Sequence, residues 1–279
     1  MKIPFTKMQG CGNDYIYING FEVEIKSPEQ LSIPLSDRHF GIGGDGLVLI
    51  LPSAVADAKM RMFNIDGSEG KMCGNAIRCV AKYLYEHGIV VKNQMTIETL
   101  SGIKTLDLTV TSGIVISVQV DMGKPILEPK LIPTRLEGEI IVNQLLDADG
   151  VAYPVTCVSM GNPHAVIFTS GIESLNLPEI GPKFENHPVF PEQVNTEFIE
   201  VIDKNMLKMR VWERGSGETL ACGTGACASV VAAVLNGYCN KNEDITVQLL
   251  GGELLIRYTG DTVFMTGGCE VAFEGTVEI

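Results

Sequence analysis

Several features are missing from this 279-residue sequence, and each absence removes a class of function. No apolar run approaches the ~18 residues that a membrane-spanning helix requires. Lys and Arg number 21 against 34 Asp and Glu, a formal net charge of −13. The basic residues are also scattered, so nucleic acid or an anionic membrane surface would find no basic patch. The opening Met1-Lys-Ile-Pro-Phe-Thr6 has no apolar core followed by a small-residue cleavage site. The expected protein is therefore soluble and cytoplasmic, with a small molecule as its partner.

The eight cysteines lack what would tie them to a metal or to redox chemistry. There is no Cys-x-x-Cys, Cys73 to Cys79 and Cys222 to Cys227 are not zinc-pair spacings, and no His pair accompanies them. All eight are expected to be reduced thiols, with no metal bound. The glycine loop Gly41–Gly46 has no Lys-Ser/Thr after it, so it reads as a tight turn and not a phosphate cradle. No pyridoxal motif is present either.

What is present is a repeat. Gly12-Asn13 leads into an apolar strand-like run, and 149 positions later Gly161-Asn162 does the same. Arg61 precedes Cys73 by twelve residues and Arg210 precedes Cys222 by twelve, while Glu69 and Glu218 each stand four before their cysteine. Met95–Gly102 matches Ile245–Gly252 at an offset of 150. Four landmarks in one order at nearly one spacing describe a duplicated domain. The length also suits two domains, since one core stops growing at roughly this size, and the 45% apolar fraction is ample for two.

The expected fold class is α+β: two pseudo-twofold-related duplicated domains, each a curved mainly antiparallel sheet or barrel around a long central helix. The strongest helix patterns are Asn75–His87 and Thr224–Asn236, stopped by Gly88 and Gly237. Pro28–Phe40 and Pro178–Asn186 are weaker ones. Short β-rich runs such as Gly46–Leu51, 105–110 and 113–120 supply the sheet. The poorly patterned span 124–150 is expected to contain the join, with domains at 1–118 and 119–267.

Cys73 and Cys222 open the two strong helices, each followed by Gly and a small polar residue, Asn75 or Thr224. A sulfur there meets unpaired backbone N–H groups and the positive end of the helix dipole, which favour thiolate. The same N–H groups seat a carboxylate. One such site suggests a thiol nucleophile. Two in pseudo-symmetric halves suggest a substrate touched on both faces, which suits stereoinversion: one thiolate removes an α-proton while the opposite thiol delivers another.

The segments Met72–Cys79, Phe63–Glu69, Gly161–His164, Glu213–Thr219 and Ala221–Cys227 closely resemble those of diaminopimelate epimerases, and the resemblance covers essentially the whole chain. It implies a cofactor-independent interconversion of LL- and meso-diaminopimelate on the route to lysine and peptidoglycan, in a homodimer. It implies that the last strand, near residues 270–279, returns to complete the first domain, which then includes 268–279. Cys73 and Cys222 become the acid/base pair. Gly74-Asn75 and Gly223-Thr224 seat the reacting carboxylate, Asn13, Asn64, Asn162, Asn195, Glu213 and Arg214 bind amino and carboxylate groups, and His164 and Glu213 tune the thiols. Two positions depart from the family pattern: Gly46, where some members carry an amide side chain, and Ala76, where Gly is more usual.

The repeat adds its own inference. His164 falls opposite Tyr15 and Glu213 opposite Asn64, so the titratable partner lies in the second copy at both places. The two thiols are expected to have unequal surroundings. Cys11, Cys79, Cys157, Cys227, Cys239 and Cys269 read as structural, and His39, His87 and His187 as surface or capping residues. Two other functions remain open. A proline or hydroxyproline racemase shares the frame, but a proline ring offers nothing to Arg214. A thiol-switch protein would use Cys73 and Cys222 as a reversible disulfide.

Overall fold

The structure is a computed structural model and describes residues 2–278. It divides into two compact units, one taking the chain up to Asp121 and again from Thr266, the other Met122–Met265. The span 124–150 thus belongs wholly to the second unit, where it forms a 3-10 turn, Pro129–Leu131, and the strand Gln144–Ala148. Ile132, Ile141, Leu146 and Ala148 are buried in that unit's core. Their spacing follows no single period, which is why the span looks unstructured in sequence.

In the first unit, strand Lys2–Gly10 pairs antiparallel with Asn13–Asn19, which runs parallel to Gly46–Leu51. Gly46–Leu51 pairs antiparallel with Ala58–Asn64, which runs parallel to Gln94–Thr99, and that strand turns back antiparallel into Gly102–Thr111. In the second unit the strands Val151–Ser159, Pro163–Phe168, Asn195–Asp203, Met206–Glu213, Ile245–Leu249 and Gly252–Tyr258 repeat the same sequence of pairings. The sequence repeat is thus a repeat of topology.

Each parallel pair needs a crossover, and a helix supplies each one. α1 (Pro28–Ser36) and α2 (Gly74–Glu86) cross over in the first unit, α3 (Leu177–Glu185) and α4 (Gly223–Leu235) in the second. α1 stops short of Phe40 because the Asp37 carboxylate takes the N–H groups of His39 and Phe40 and turns the chain. α2 and α4 are buried over most of their length. For α4 this follows from its near-continuous run of small apolar residues. α2 carries Arg78 and Lys82 inward, and their charges are met by the Gly74 carbonyl and by Glu86 with the Val115 carbonyl.

The strand Glu270–Glu278 runs antiparallel to Lys2–Gly10, from Gln9↔Glu270 to Lys2↔Glu278, with one bulge. It therefore belongs to the first unit's sheet, while Ile279, the last residue of the strand expected there, lies outside the described residues. Among the described residues, no helix is long and apolar enough to cross a membrane.

The landmark Arg and Glu residues of the repeat pair with one another. Arg61 meets Glu69 and Arg210 meets Glu218, both through Nε at 2.7 Å. Each pair clamps the short hairpin that leads into its cysteine.

Candidate active site

The two cysteines are the N-caps of α2 and α4. Both have extended backbone, with φ −130° and ψ 122° at Cys73 and φ −121° and ψ 108° at Cys222. In that geometry the side chain turns back over the first helical turn. The Cys73 sulfur accepts the Ala76 N–H at 3.5 Å, and the Cys222 sulfur accepts the Gly225 N–H at 3.4 Å. These donors occupy equivalent places in the repeat, as the sequence pattern requires.

The surroundings then diverge. Cys73 is half-buried, and its Sγ lies 3.3 Å from Asn13 Oδ1, an oxygen that also receives Asn75 Nδ2 at 3.4 Å. Asn75 is buried and its own Oδ1 has no hydrogen-bond partner, so this group of side chains keeps one unmet acceptor. Asn64 stands apart from this group, with its amide on Ser68 Oγ at 3.0 Å.

Around Cys222 the groups form a chain. Thr224 Oγ1 lies 3.5 Å from the sulfur and receives Asn162 Nδ2 at 3.2 Å. Asn162 Oδ1 faces His164 Nε2 at 3.1 Å, and His164 Nδ1 meets Glu197 Oε1 at 2.6 Å. His164 and Glu197 are both 0% exposed. Burial pushes the Cys222 thiol well above its ordinary range, reinforced by the carboxylates of Glu213 and Glu197 and opposed by Thr224 and the Gly225 N–H. Glu213 is also raised, first by its enclosure, although hydrogen bonds with Thr219 and Cys222 and the nearby His164 work the other way. Thr219 Oγ1 donates to Glu213 Oε1 at 2.5 Å.

Asn195 and Arg214 complete this side. Asn195 is buried and braces the backbone, giving Nδ2 to the Pro163 carbonyl at 3.1 Å and accepting the Arg214 N–H at 3.0 Å. The Arg214 guanidinium is steadied by the Glu192 carbonyl at 2.8 Å. Glu185 fixes the same loop, accepting from Trp212 Nε1 at 2.7 Å and from the Gly215 N–H at 2.8 Å.

The two departures from the family pattern now have physical reasons. A Cβ at Gly46 would collide with the Phe63 carbonyl, so no side chain fits there without the strand moving. At Gly225 a Cβ would come 2.6 Å from Glu197 Oε1, so glycine makes room for the buried carboxylate. Ala76 is the equivalent residue in the first copy, and Val48 stands there where the second copy has Glu197. No carboxylate competes for the space, and alanine is accommodated.

Sequence reasoning missed Glu197 and Asp45. Glu197 looks like an ordinary polar residue of an alternating strand, yet its strand is buried on both faces at that point. Asp45 sits in the loop that reads as a plain turn, and its carboxylate receives Asn13 Nδ2 at 2.6 Å. Among the described residues, no group of three or more His, Cys, Asp and Glu is placed to hold a metal ion. All eight cysteines are free thiols.

The raised Glu213 carboxyl makes a sign-specific prediction. A carboxyl whose proton affinity is higher folded than unfolded contributes most below the unfolded value, and this contribution is lost as pH rises through the folded value. Glu213→Gln abolishes that loss. Relative to the parent protein, the melting temperature of the variant should improve as pH is raised from about 4 to about 8. A flat difference, or the opposite slope, would show that Glu213 is not raised.

Comparison with known proteins assigns these residues a relationship. The family model described as diaminopimelate epimerase matches residues 5–128 and 156–271. The diaminopimelate epimerase of Desulfovibrio desulfuricans is 57% identical over 98% of this chain and 97% of its own length. That of Acetivibrio thermocellus is 56% identical over 99% and 98%. Among solved structures, a phenazine biosynthesis protein of the PhzF family from Bacillus anthracis shares the fold with a TM-score of 0.72 at 17% identity, covering 100% of both chains.

Proposed function

The chain belongs to the diaminopimelate epimerase family, and from that premise we propose that it interconverts LL- and meso-diaminopimelate without a cofactor, by proton transfer at the Cys73 and Cys222 sulfurs. One observation carries the reading: two sulfurs cap topologically equivalent helices, each held by an equivalent N–H, while their surroundings differ, an asparagine oxygen beside Cys73 and the carboxylates of Glu213 and Glu197 acting on Cys222. Equivalent sulfurs suit attack on opposite faces of one carbon. Unequal partners suit one acid and one base.

The Cys222 thiol holds its proton tightly, and Glu213, in hydrogen-bond contact with it and itself raised, is the group that takes that proton to make the thiolate base. Cys73 then serves as the acid. The N–H groups at the starts of α2 and α4, with Gly74, Asn75, Gly223 and Thr224, bind the carboxylate at the reacting carbon. Their partial positive charge also stabilises the carbanion as its charge spreads onto that carboxylate. Asn13, Asn64, Asn162, Asn195 and Glu213 are proposed to take the amino groups and Arg214 the distal carboxylate, which a guanidinium binds bidentately. His164 tunes Cys222 through Asn162 and Thr224.

The reading extends to a homodimer and to the cytoplasm, where such a step toward lysine and peptidoglycan would occur. The half-exposed Val271 and Phe273 on the strand Glu270–Glu278 support a partner on that sheet edge.

The test is reduced protein with LL-diaminopimelate in deuterated water. Inversion with one deuterium at the inverted α-carbon is expected. If LL-diaminopimelate stays unchanged while proline-type substrates invert, the substrate assignment is wrong. If neither reacts, the epimerase reading itself fails.

A further inference from the structure

We infer that Asp45 is a positioning residue: by holding the amide nitrogen of Asn13 it keeps the Asn13 carbonyl oxygen facing Cys73, so that this sulfur rests as the thiol. The inference rests on the two-thiol reading above and gives a geometric cause for the thiol state of Cys73.

What each group can do in a hydrogen bond fixes the orientation of Asn13. Asp45 Oδ2 receives two donors, Asn13 Nδ2 at 2.6 Å and the Asp14 N–H at 3.0 Å, while Oδ1 receives Arg38 Nη2 at 3.0 Å. A carboxylate only accepts, so Asn13 can present only its nitrogen to it. The Asn13 oxygen must then face the other way, toward the Cys73 sulfur at 3.3 Å. A carbonyl oxygen cannot donate. That contact is a hydrogen bond while Cys73 carries its hydrogen and a lone-pair clash once it does not. Asn75, donating to the same oxygen, reinforces the orientation.

The loop that carries Asp45 is itself fixed. The Asp45 N–H donates to the Asp14 carbonyl at 2.7 Å. Lys7, almost fully buried, bridges the Asp14 carboxylate at 2.7 Å and the Gly43 carbonyl. The second unit holds its asparagine with a group of a different kind. Val194 stands at the position equivalent to Asp45, and Asn162 leans instead on His164, whose ring nitrogens can donate or accept. Beside the Cys222 sulfur, together with the Gly225 N–H, stands the Thr224 hydroxyl, which can also do either. The first half-site therefore meets its sulfur with an oxygen that can only accept, whereas the second meets its sulfur with a hydroxyl that can do either.

The experiment measures alkylation of Cys73 and Cys222 by iodoacetamide in the folded protein near neutral pH, resolved peptide by peptide by mass spectrometry. Asp45→Ala frees the Asn13 amide to turn its nitrogen to the sulfur. A hydrogen bond to a charged group then gained should raise the Cys73 rate about tenfold. Asp45→Asn removes the charge but keeps an oxygen where the two N–H groups converge, so the Cys73 rate should stay within about twofold of the parent. The Cys222 rate should hold in both variants, reporting an intact fold. Asp45 is on the surface, with 38% of its side chain exposed, so neither change empties the core.

Equal acceleration in both variants would mean that the Asp45 charge acts through space, and would overturn the positioning role. No change at Cys73 relative to Cys222 would overturn it as well. Alkylation needs no substrate, so the predicted pattern in a protein that fails to invert diaminopimelate would uphold Asp45's role and reject the epimerase reading separately.

Discussion

Cys73→Ala and Cys222→Ala are each expected to abolish inversion of diaminopimelate, with a fall of roughly 10³-fold or more, because under the proposed mechanism each removes one of the two groups that exchange a proton with the α-carbon. The informative part is what survives. With Cys73 replaced, Cys222 and Glu213 can still remove and return a proton on one face, giving exchange into solvent without inversion. With Cys222 replaced, Cys73 keeps its thiol and the Asn13 carbonyl against it, so exchange should be slower still. Both proteins should fold, since what is lost is one N-cap contact from sulfur, worth ~1 kcal/mol. Deuterium incorporation followed by chiral separation of the products reads both effects. Inversion at an undiminished rate in either variant would remove the sulfur concerned from the mechanism.

The second large effect is on stability. Glu197→Ala should destabilise the protein by about 3 kcal/mol, the upper end for leaving a buried hydrogen-bonding partner unmet. His164 Nδ1 lies 2.6 Å from Glu197 Oε1 and neither residue is exposed, so the carboxylate is a fully enclosed partner of the ring. His164→Ala should cost a similar amount, and the double variant much less than the sum, because the first change already removes what the second would break. Urea unfolding of the four proteins gives the cycle. Additive losses would show that the two side chains contribute independently. The other carboxylate oxygen of Glu197 has no hydrogen-bond partner, so part of the pair's benefit is already offset by an unmet acceptor. Glu197 is thus better explained by what it does to His164 than by stability alone.

The duplication, the two cysteines and the helices that carry them were readable from the linear sequence because each is a local property. A helix N-terminus is defined within four residues, and Cys-Gly-Asn and Cys-Gly-Thr before apolar-periodic runs specify it twice. The repeat spacing itself survived because a strand order imposed by parallel crossovers tolerates few insertions between its landmarks. The Arg61–Glu69 and Arg210–Glu218 pairs show the same economy, since eight residues of hairpin bring each pair together. The family motifs then supplied residue roles that periodicity could not.

Tertiary structure alone decided which groups set the proton on each sulfur. Asp45 reaches Asn13 across 32 residues from the loop that enters the parallel strand Gly46–Leu51, and Glu197 reaches His164 across 33 as a diagonal neighbour on a parallel strand pair. A strand sequence records that a residue is polar but not which neighbour strand will face it. The span 124–150 failed to show its place for a related reason, its buried residues being chosen by the surfaces they fill rather than by a period. The sequence carried the two sulfurs and their matched frames. Packing made them unequal, because a carboxylate that can only accept faces one asparagine while a ring that can do both faces the other.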